Sequence, residues 1–349
     1  MIIYDTIIIG GGQAGISVAY FLRRSALEYL ILDNQDKPGG AWLQTWESLQ
    51  LFSPSQYSSL SGWQMPKTKE EYPTKAEFIN YLTAYEERYS FPIKRSTEVL
   101  RVEKENGLFK IITSKGVYKA KTVVSTTGTA KNPYIPNYPD QNNFKGVQLH
   151  SAEYSDPKSF QGKKVLVVGG GNSGAQILSE LSKVAKTKWV TKKVPQFMPE
   201  EIDGRYLFVK ANSSYLDNNT HNFEEEVSLS DIVQVDSVKE GLKRGIYNAV
   251  RPFLSFYEDG VIWQDGEKEA FHAVIWCTGF RANLYHLQPL NIVKDNRVIT
   301  KNTRSLKEPN LWLVGYGSWT GFASATIYGV GKTARATASE IQAYFELTS

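Results

Sequence analysis

Short, largely β-branched apolar runs followed by glycine-rich turns occur twice in the chain with the same neighbours. Ile3 to Ile9 has the composition of a strand in a buried parallel sheet, Gly10-Gly11-Gly12-Gln13-Ala14-Gly15 follows, and Ile16 to Arg24 carries apolar residues at helical spacing. Tyr29 to Leu32 reads as a second strand, ending at Asp33. The order returns further on: a strand at Lys164 to Val168, then Gly169-Gly170-Gly171-Asn172-Ser173-Gly174, a helix to about Lys186 and a strand at Lys188 to Thr191. In both units the residue after the second strand stands 18 positions beyond the third glycine, at Asp33 and at Lys192.

Between the units the periodicity changes. Leu43 to Pro92 is an aromatic, turn-rich excursion that includes Trp46, Phe52, Tyr57 and Trp63, with a helix predicted over Lys75 to Tyr89. Those rings, with Trp42 just before them, suit either a pocket wall or ordinary core. Thr97 to Thr129 reads as antiparallel strands with Asn106-Gly107 as a hairpin turn, closing on Thr127-Gly128; Ala273 to Phe280 closes similarly on Thr278-Gly279. The C-terminal part predicts a strand over Leu311 to Val314 and a long helix from about Ala323, returning the chain to its first unit. The expected fold is therefore α/β, with two Rossmann-like three-layer dinucleotide-binding domains, the second inserted into the first. Residues 1–155 and 283–349 form one domain in this reading and residues 160–280 the other.

Composition narrows the function. With 349 residues, 41% hydrophobic and 22% charged, the chain reads as globular, and its net charge of +4 is spread without a basic cluster that would track nucleic acid. No apolar run reaches the roughly 18 to 20 residues of a membrane span and no signal-peptide pattern opens the chain, so the expectation is a cytoplasmic protein. A homodimer is compatible with this composition but not indicated by it. Cys277 is the only cysteine, which excludes an internal disulfide. No metal-ligand spacing is present.

The glycine motifs carry the first chemistry. Gly10 permits a tight turn, Gly12 admits a pyrophosphate close to the backbone, and Gly15 lets helix and strand pack; Gly169, Gly171 and Gly174 repeat these tasks. Phosphate is favoured at the helix N-terminus that follows. The strand ends differ in charge. Asp33 suits ribose hydroxyls and repels a 2′-phosphate, whereas Lys192 and Lys193 would attract one, unless they are simply a solvated pair. The first site thus reads as FAD and the second as NADPH.

Phe144 to Tyr154, "FKGVQLHSAEY", has the pattern FxGxxxHxxxY and resembles the fingerprint of the class B flavin monooxygenases, the flavin-containing monooxygenases and their Baeyer–Villiger relatives. The likeness covers nearly the whole chain, from the first glycine motif through "GGAW" at Gly39 to Trp42 to the last strand. It implies FAD contacts from Gln13, Ala14, Gly40, Ala41, Trp42 and Trp46, and from Val99, Thr127 and Ser318, the last standing where relatives carry an aspartate. It implies NADPH contacts from Asn172 and Ser173 besides the glycines and lysines. His150 would act as a hinge or cofactor-positioning group. The implied reaction uses a small-molecule substrate and oxygen: NADPH reduces FAD, and a C4a-peroxyflavin gives one oxygen atom to a sulfide, an amine or a ketone. Phe52 stands where flavin-containing enzymes generally place an asparagine beside the oxygenated flavin, so NADPH oxidation uncoupled from oxygen transfer is also expected. The alternative is an NADPH oxidase or reductase passing electrons to oxygen, a quinone or a metal, in a group of flavoproteins that accompany cation efflux. Substrate selection would rest on Leu43 to Pro66 and on the insert Pro195 to Asp259.

Overall fold

The structure is a computed structural model that describes residues 2–199 and 231–348, so part of the insert Pro195 to Asp259 lies outside the described residues. Strands β1 (Ile3–Ile9), β2 (Tyr29–Leu32), β3 (Ile93–Lys94) and β6 (Gly116–Ser125) join the strand Leu311–Leu313 in a parallel array ordered β3, β2, β1, β6, Leu311–Leu313. Ile7 and Ile8 on β1 point to opposite faces and are both fully buried, as two-sided coverage by helices requires. Lys119 to Ser125 of β6 pair with β1, while Gly116 to Ala120 pair antiparallel with β5 (Leu108–Thr113), which pairs in turn with β4 (Val99–Glu105). The β4–β5 turn has φ of 52° at Asn106 and 78° at Gly107, the backbone for which Asn-Gly is suited.

Helix α1 (Gln13–Leu22) lies against the C-terminal helix Ile327–Thr348. That helix begins later than the sequence predicts, because Gly321 and Ala323 take left-handed φ values of 125° and 53° that interrupt helical winding. Helix α2 (Lys75–Tyr89) starts in a capping box: Glu77 N–H donates to Thr74 Oγ1 at 3.3 Å and Thr74 N–H to Glu77 Oε2 at 2.8 Å. Such a cap contributes about 1 kcal/mol. The helix buries Phe78, Tyr81, Leu82 and Tyr85, and it pins the aromatic excursion by a 2.8 Å bond from Leu60 N–H to Tyr81 Oη.

The second sheet is also parallel. Its strands β7 (Val147–His150), β8 (Lys164–Val168), β9 (Lys186–Val190), β10 (Ala249–Val250) and, after the antiparallel meander β11 to β13 (Ser255–Tyr257, Gly260–Ile262, Lys268–Ala270), β14 (Ala273–Trp276) run in the order β10, β9, β8, β14, β7. Every strand of this sheet falls between β6 and Leu311–Leu313 in sequence. One correction follows. Residues 147–150, read from sequence as part of the first domain, belong to the second sheet, because β7 pairs with β14 at Trp276↔His150.

Two chain segments cross between the sheets and hold each other. Tyr134 N–H donates to Gly279 O at 2.9 Å, Arg281 N–H to Asn132 O at 2.8 Å, and Asn283 N–H to Gly128 O at 2.9 Å. The Thr-Gly strand ends therefore lead into a paired crossover.

Candidate active site

A cavity of about 540 Å³ opens at the C-terminal ends of β1, β2 and β6. Its walls include Gly10 to Ala14, Asp33, Gly40 to Trp42, Val99, Thr126 to Gly128, His286, Gly315 and Ala325. This is the edge of an open parallel sheet where nucleotides bind. The loop backbone is pressed close throughout: a Cβ on Gly15 would lie 1.9 Å from Gly10 O, and one on Gly40 would lie 2.7 Å from Gly12 Cα. No side chain caps α1 at Gly12, so its first N–H groups remain for an anion. Gln13 links three parts of the wall, donating to Ala325 O at 3.1 Å and accepting from Trp42 Nε1 at 3.0 Å. Asp33 is buried, with Arg95 paired to one carboxylate oxygen; the same guanidinium pairs with Glu86. Burial pushes the Glu86 carboxyl upward, against the opposing pull of Arg95. A backbone cradle for phosphate with a buried carboxylate at the next strand end fits the FAD expected there.

The second glycine turn is built alike. A Cβ on Gly174 would meet Gly169 O at 2.2 Å, and Trp189 Nε1 donates to the same oxygen at 2.8 Å. Helix α3 (Asn172–Leu181) has no side-chain cap at Gly171. Asn172 turns its amide sideways instead, accepting from Val233 N–H at 2.9 Å and donating to Asp231 O at 3.3 Å. Lys192 and Lys193 are exposed beyond β9. Beside them Arg251 Nη1 donates to Thr191 O at 3.0 Å and to Thr191 Oγ1 at 3.2 Å.

Residues 7–315 match the family described as pyridine nucleotide-disulphide oxidoreductase. The chain belongs to that family. Within it, the chain is 43% identical to a flavin-containing monooxygenase from Stenotrophomonas maltophilia, with 99% of each chain covered and a TM-score of 0.91. It is 33% identical to an uncharacterized oxidoreductase CzcO of Bacillus velezensis over 95% of this chain and 97% of the relative. It is 24% identical to a probable indole-3-pyruvate monooxygenase of Arabidopsis thaliana over 98% and 90%. Cyclohexanone monooxygenase shares the fold, with a TM-score of 0.70 at 18% identity. The chain is a flavoprotein oxidoreductase of the monooxygenase type, with FAD and NADPH as cofactors. Yet it lacks the thiol pair of the family's name, and burial pushes the pKa of its lone thiol, Cys277, up to about 12.

Of the residues expected around FAD, Gly10, Gly12, Gln13, Ala14, Asp33, Gly40, Ala41, Trp42, Val99 and Thr127 share the cavity wall. Gly15 stands behind it, where the helix meets the loop. Three expected site residues are not among those lining this cavity. Trp46 is buried in the core of the second unit, among Tyr154, Val165 and Leu178, and Phe52 packs its ring against that same core. The cause is local: Gln50 and Gln176 dock this stretch on α3 by paired amide bonds of 3.3 Å each. Ser318 opens a short turn, Ser318–Thr320, off the cavity wall, which Gly315 and Ala325 supply instead.

The fingerprint residues form β7 and its flanks and hold the crossover from the side of the second sheet. A Cβ on Gly146 would meet the Phe144 ring at 2.2 Å, so this glycine is the space into which that ring folds. His150 is fully buried; Nε2–H donates to Gly279 O at 2.9 Å and Nδ1 accepts from Ala152 N–H at 3.1 Å. Burial lowers its pKa, and with both nitrogens occupied it has no lone pair for a substrate. His150 therefore clamps the crossover at Gly279. Sequence reading also missed Arg95, Arg251 and His286. The first two follow strands adjacent to the one that ends in the expected partner, a relation visible only once β2–β3 and β9–β10 pairing is known.

Proposed function

We propose that this flavoprotein consumes NADPH and O2 to place one oxygen atom on a soft nucleophile, a sulfide or amine, or on a ketone. NADPH, a proton, O2 and substrate give NADP+, water and the oxygenated product. The match to a flavin-containing monooxygenase along 99% of both chains carries this reading. The single cysteine supports it, because the chain cannot form the internal disulfide through which a two-thiol reductase passes its electrons. Bound FAD supplies the two-electron chemistry between NADPH and oxygen. The chain's residues have narrower tasks. The first glycine turn and Asp33 hold FAD by phosphate and ribose, within residues 1–155 and 283–349 less β7. The unit of residues 160–280 together with β7 holds NADPH, with Lys192, Lys193 and Arg251 gathered for the 2′-phosphate. Trp42 and Gln13 tie the excursion to the FAD wall and exclude water from it.

The test is product stoichiometry. Holoenzyme in air with NADPH and methyl phenyl sulfide should form sulfoxide in proportion to NADPH oxidised. NADPH oxidation giving only peroxide, with sulfides, amines and ketones untouched, would reject the monooxygenase and favour an oxidase or reductase, the activity open to the CzcO relatives named only as oxidoreductases.

A further inference from the structure

A chain of buried polar groups runs from the crossover to the cavity wall, and its donors and acceptors can be assigned one by one. Thr127 Oγ1 donates to Asn283 O at 2.6 Å, which commits its only proton. Its 2.7 Å contact with Tyr316 Oη must therefore use the tyrosine proton. Burial raises the Tyr316 pKa, so that proton is present. Tyr316 Oη, its proton spent, accepts from Thr127 N–H at 3.2 Å and takes the Ser125 hydroxyl proton across their short contact. Ser125 Oγ, its proton spent in turn, can only accept at its 2.9 Å contact with His286 Nε2. His286 is thus a neutral imidazole protonated on Nε2, with its Nδ1 lone pair left over. The side chain is 4% exposed and lines the cavity.

Building on the assignment of this cavity to FAD, we propose that His286 is an FAD-binding residue whose Nδ1 accepts a hydrogen bond from a hydroxyl or amino group of the flavin nucleotide, and that Ser125, Tyr316 and Thr127 position it by fixing its tautomer. Covering this acceptor on the cavity wall takes away its water, which is costly unless the occupant supplies a donor. The wall beside it is otherwise rich in donors for phosphate, whereas sugar hydroxyls and an adenine amine need acceptors. Asp33 meets that need at one point of the cavity and His286 would meet it at another.

The test uses FAD titration of unloaded protein, read by flavin fluorescence, with two near-isosteric variants. The side-chain amide of His286→Asn falls where Nδ1 stood and keeps an acceptor toward the cavity but cannot reach Ser125. His286→Gln reaches Ser125 but withdraws the cavity acceptor. The expected result is a rise of about tenfold in the FAD Kd for Gln and a smaller rise for Asn. A purely structural histidine predicts the reverse order, and that order, or Gln within twofold of the unaltered protein, overturns the proposal. Nitrogen-15 NMR of the unaltered protein gives a readout independent of folding in the variants: of the four histidines, one should show the Nε2–H tautomer with an Nδ1 resonance that moves when FAD binds. An Nδ1–H tautomer, or a resonance unmoved by FAD, rejects the assignment. Failure of the unaltered protein to bind FAD at all would instead reject the cavity assignment.

Discussion

At the scale of single residues, charge and burial give two expected outcomes. Lys192 is exposed at a strand end, where a charge-assisted bond to a 2′-phosphate is weakened by water, so the contribution is modest. Lys192→Ala should raise KM for NADPH about tenfold and leave KM for NADH, which has no 2′-phosphate, nearly unchanged, with kcat held because the contact is remote from the hydride. Steady-state kinetics with both cofactors checks this; equal use of NADH and NADPH by the unaltered enzyme would contradict it. His286 concerns pH. Burial pushes its pKa down to about 4 from the ordinary 6.5. Between those values the unfolded chain binds a proton that the folded one refuses, so this group's stabilisation is complete above about pH 6.5 and falls as pH drops toward 4. By pH 5 the loss is about 2 kcal/mol. Urea midpoints at pH 7.5 and 5 should therefore differ less in His286→Asn than in the unaltered protein, and an identical pH dependence would show that the histidine is not held neutral.

At the scale of elements, the glycine turns carry the strictest steric demand. Ala at position 174 would place its methyl 2.2 Å from Gly169 O, against backbone that cannot yield. Gly174→Ala should cost about 3 kcal/mol or more and lower Tm, and NADPH should bind weakly to whatever folds. Gly107→Ala tests the contrary case: nothing stands near its Cβ, so only the left-handed φ of 78° is strained and the cost should stay near 1 kcal/mol. These elements were legible in sequence because their signals are local. The strands Ile3–Ile9 and Lys164–Val168, the Asn-Gly hairpin and the helix Lys75–Tyr89 all stand where apolar period and turn chemistry predict them. What was illegible depends on strand order. Val147–His150 looks like an extension of the first unit until it is seen to pair with β14, and Arg95 gains meaning only when β3 lies beside β2.

At the scale of the whole molecule, the excursion after Trp42 shows why aromatic composition does not locate a pocket. Trp42 lines the cavity, while Trp46 and Phe52, a few residues on, pack on the other unit's core, so one segment serves both as wall and as strap between the units. His150, expected as a hinge or cofactor-positioning group, ends β7 and clamps the crossover through Gly279 O. Among the described residues no helix is long and apolar enough to cross a membrane. The arrangement amounts to two nucleotide sites joined by a paired crossover, and the proposal made for it is that electrons from NADPH pass through flavin to oxygen. The direct measurement is isotopic: holoenzyme turning over NADPH and methyl phenyl sulfide under 18O2 in ordinary water, with the product analysed by mass spectrometry. The account predicts sulfoxide carrying one 18O atom, its yield tracking NADPH oxidised and persisting with catalase present. Unlabelled sulfoxide, or labelled sulfoxide that vanishes when catalase removes free peroxide, would contradict it.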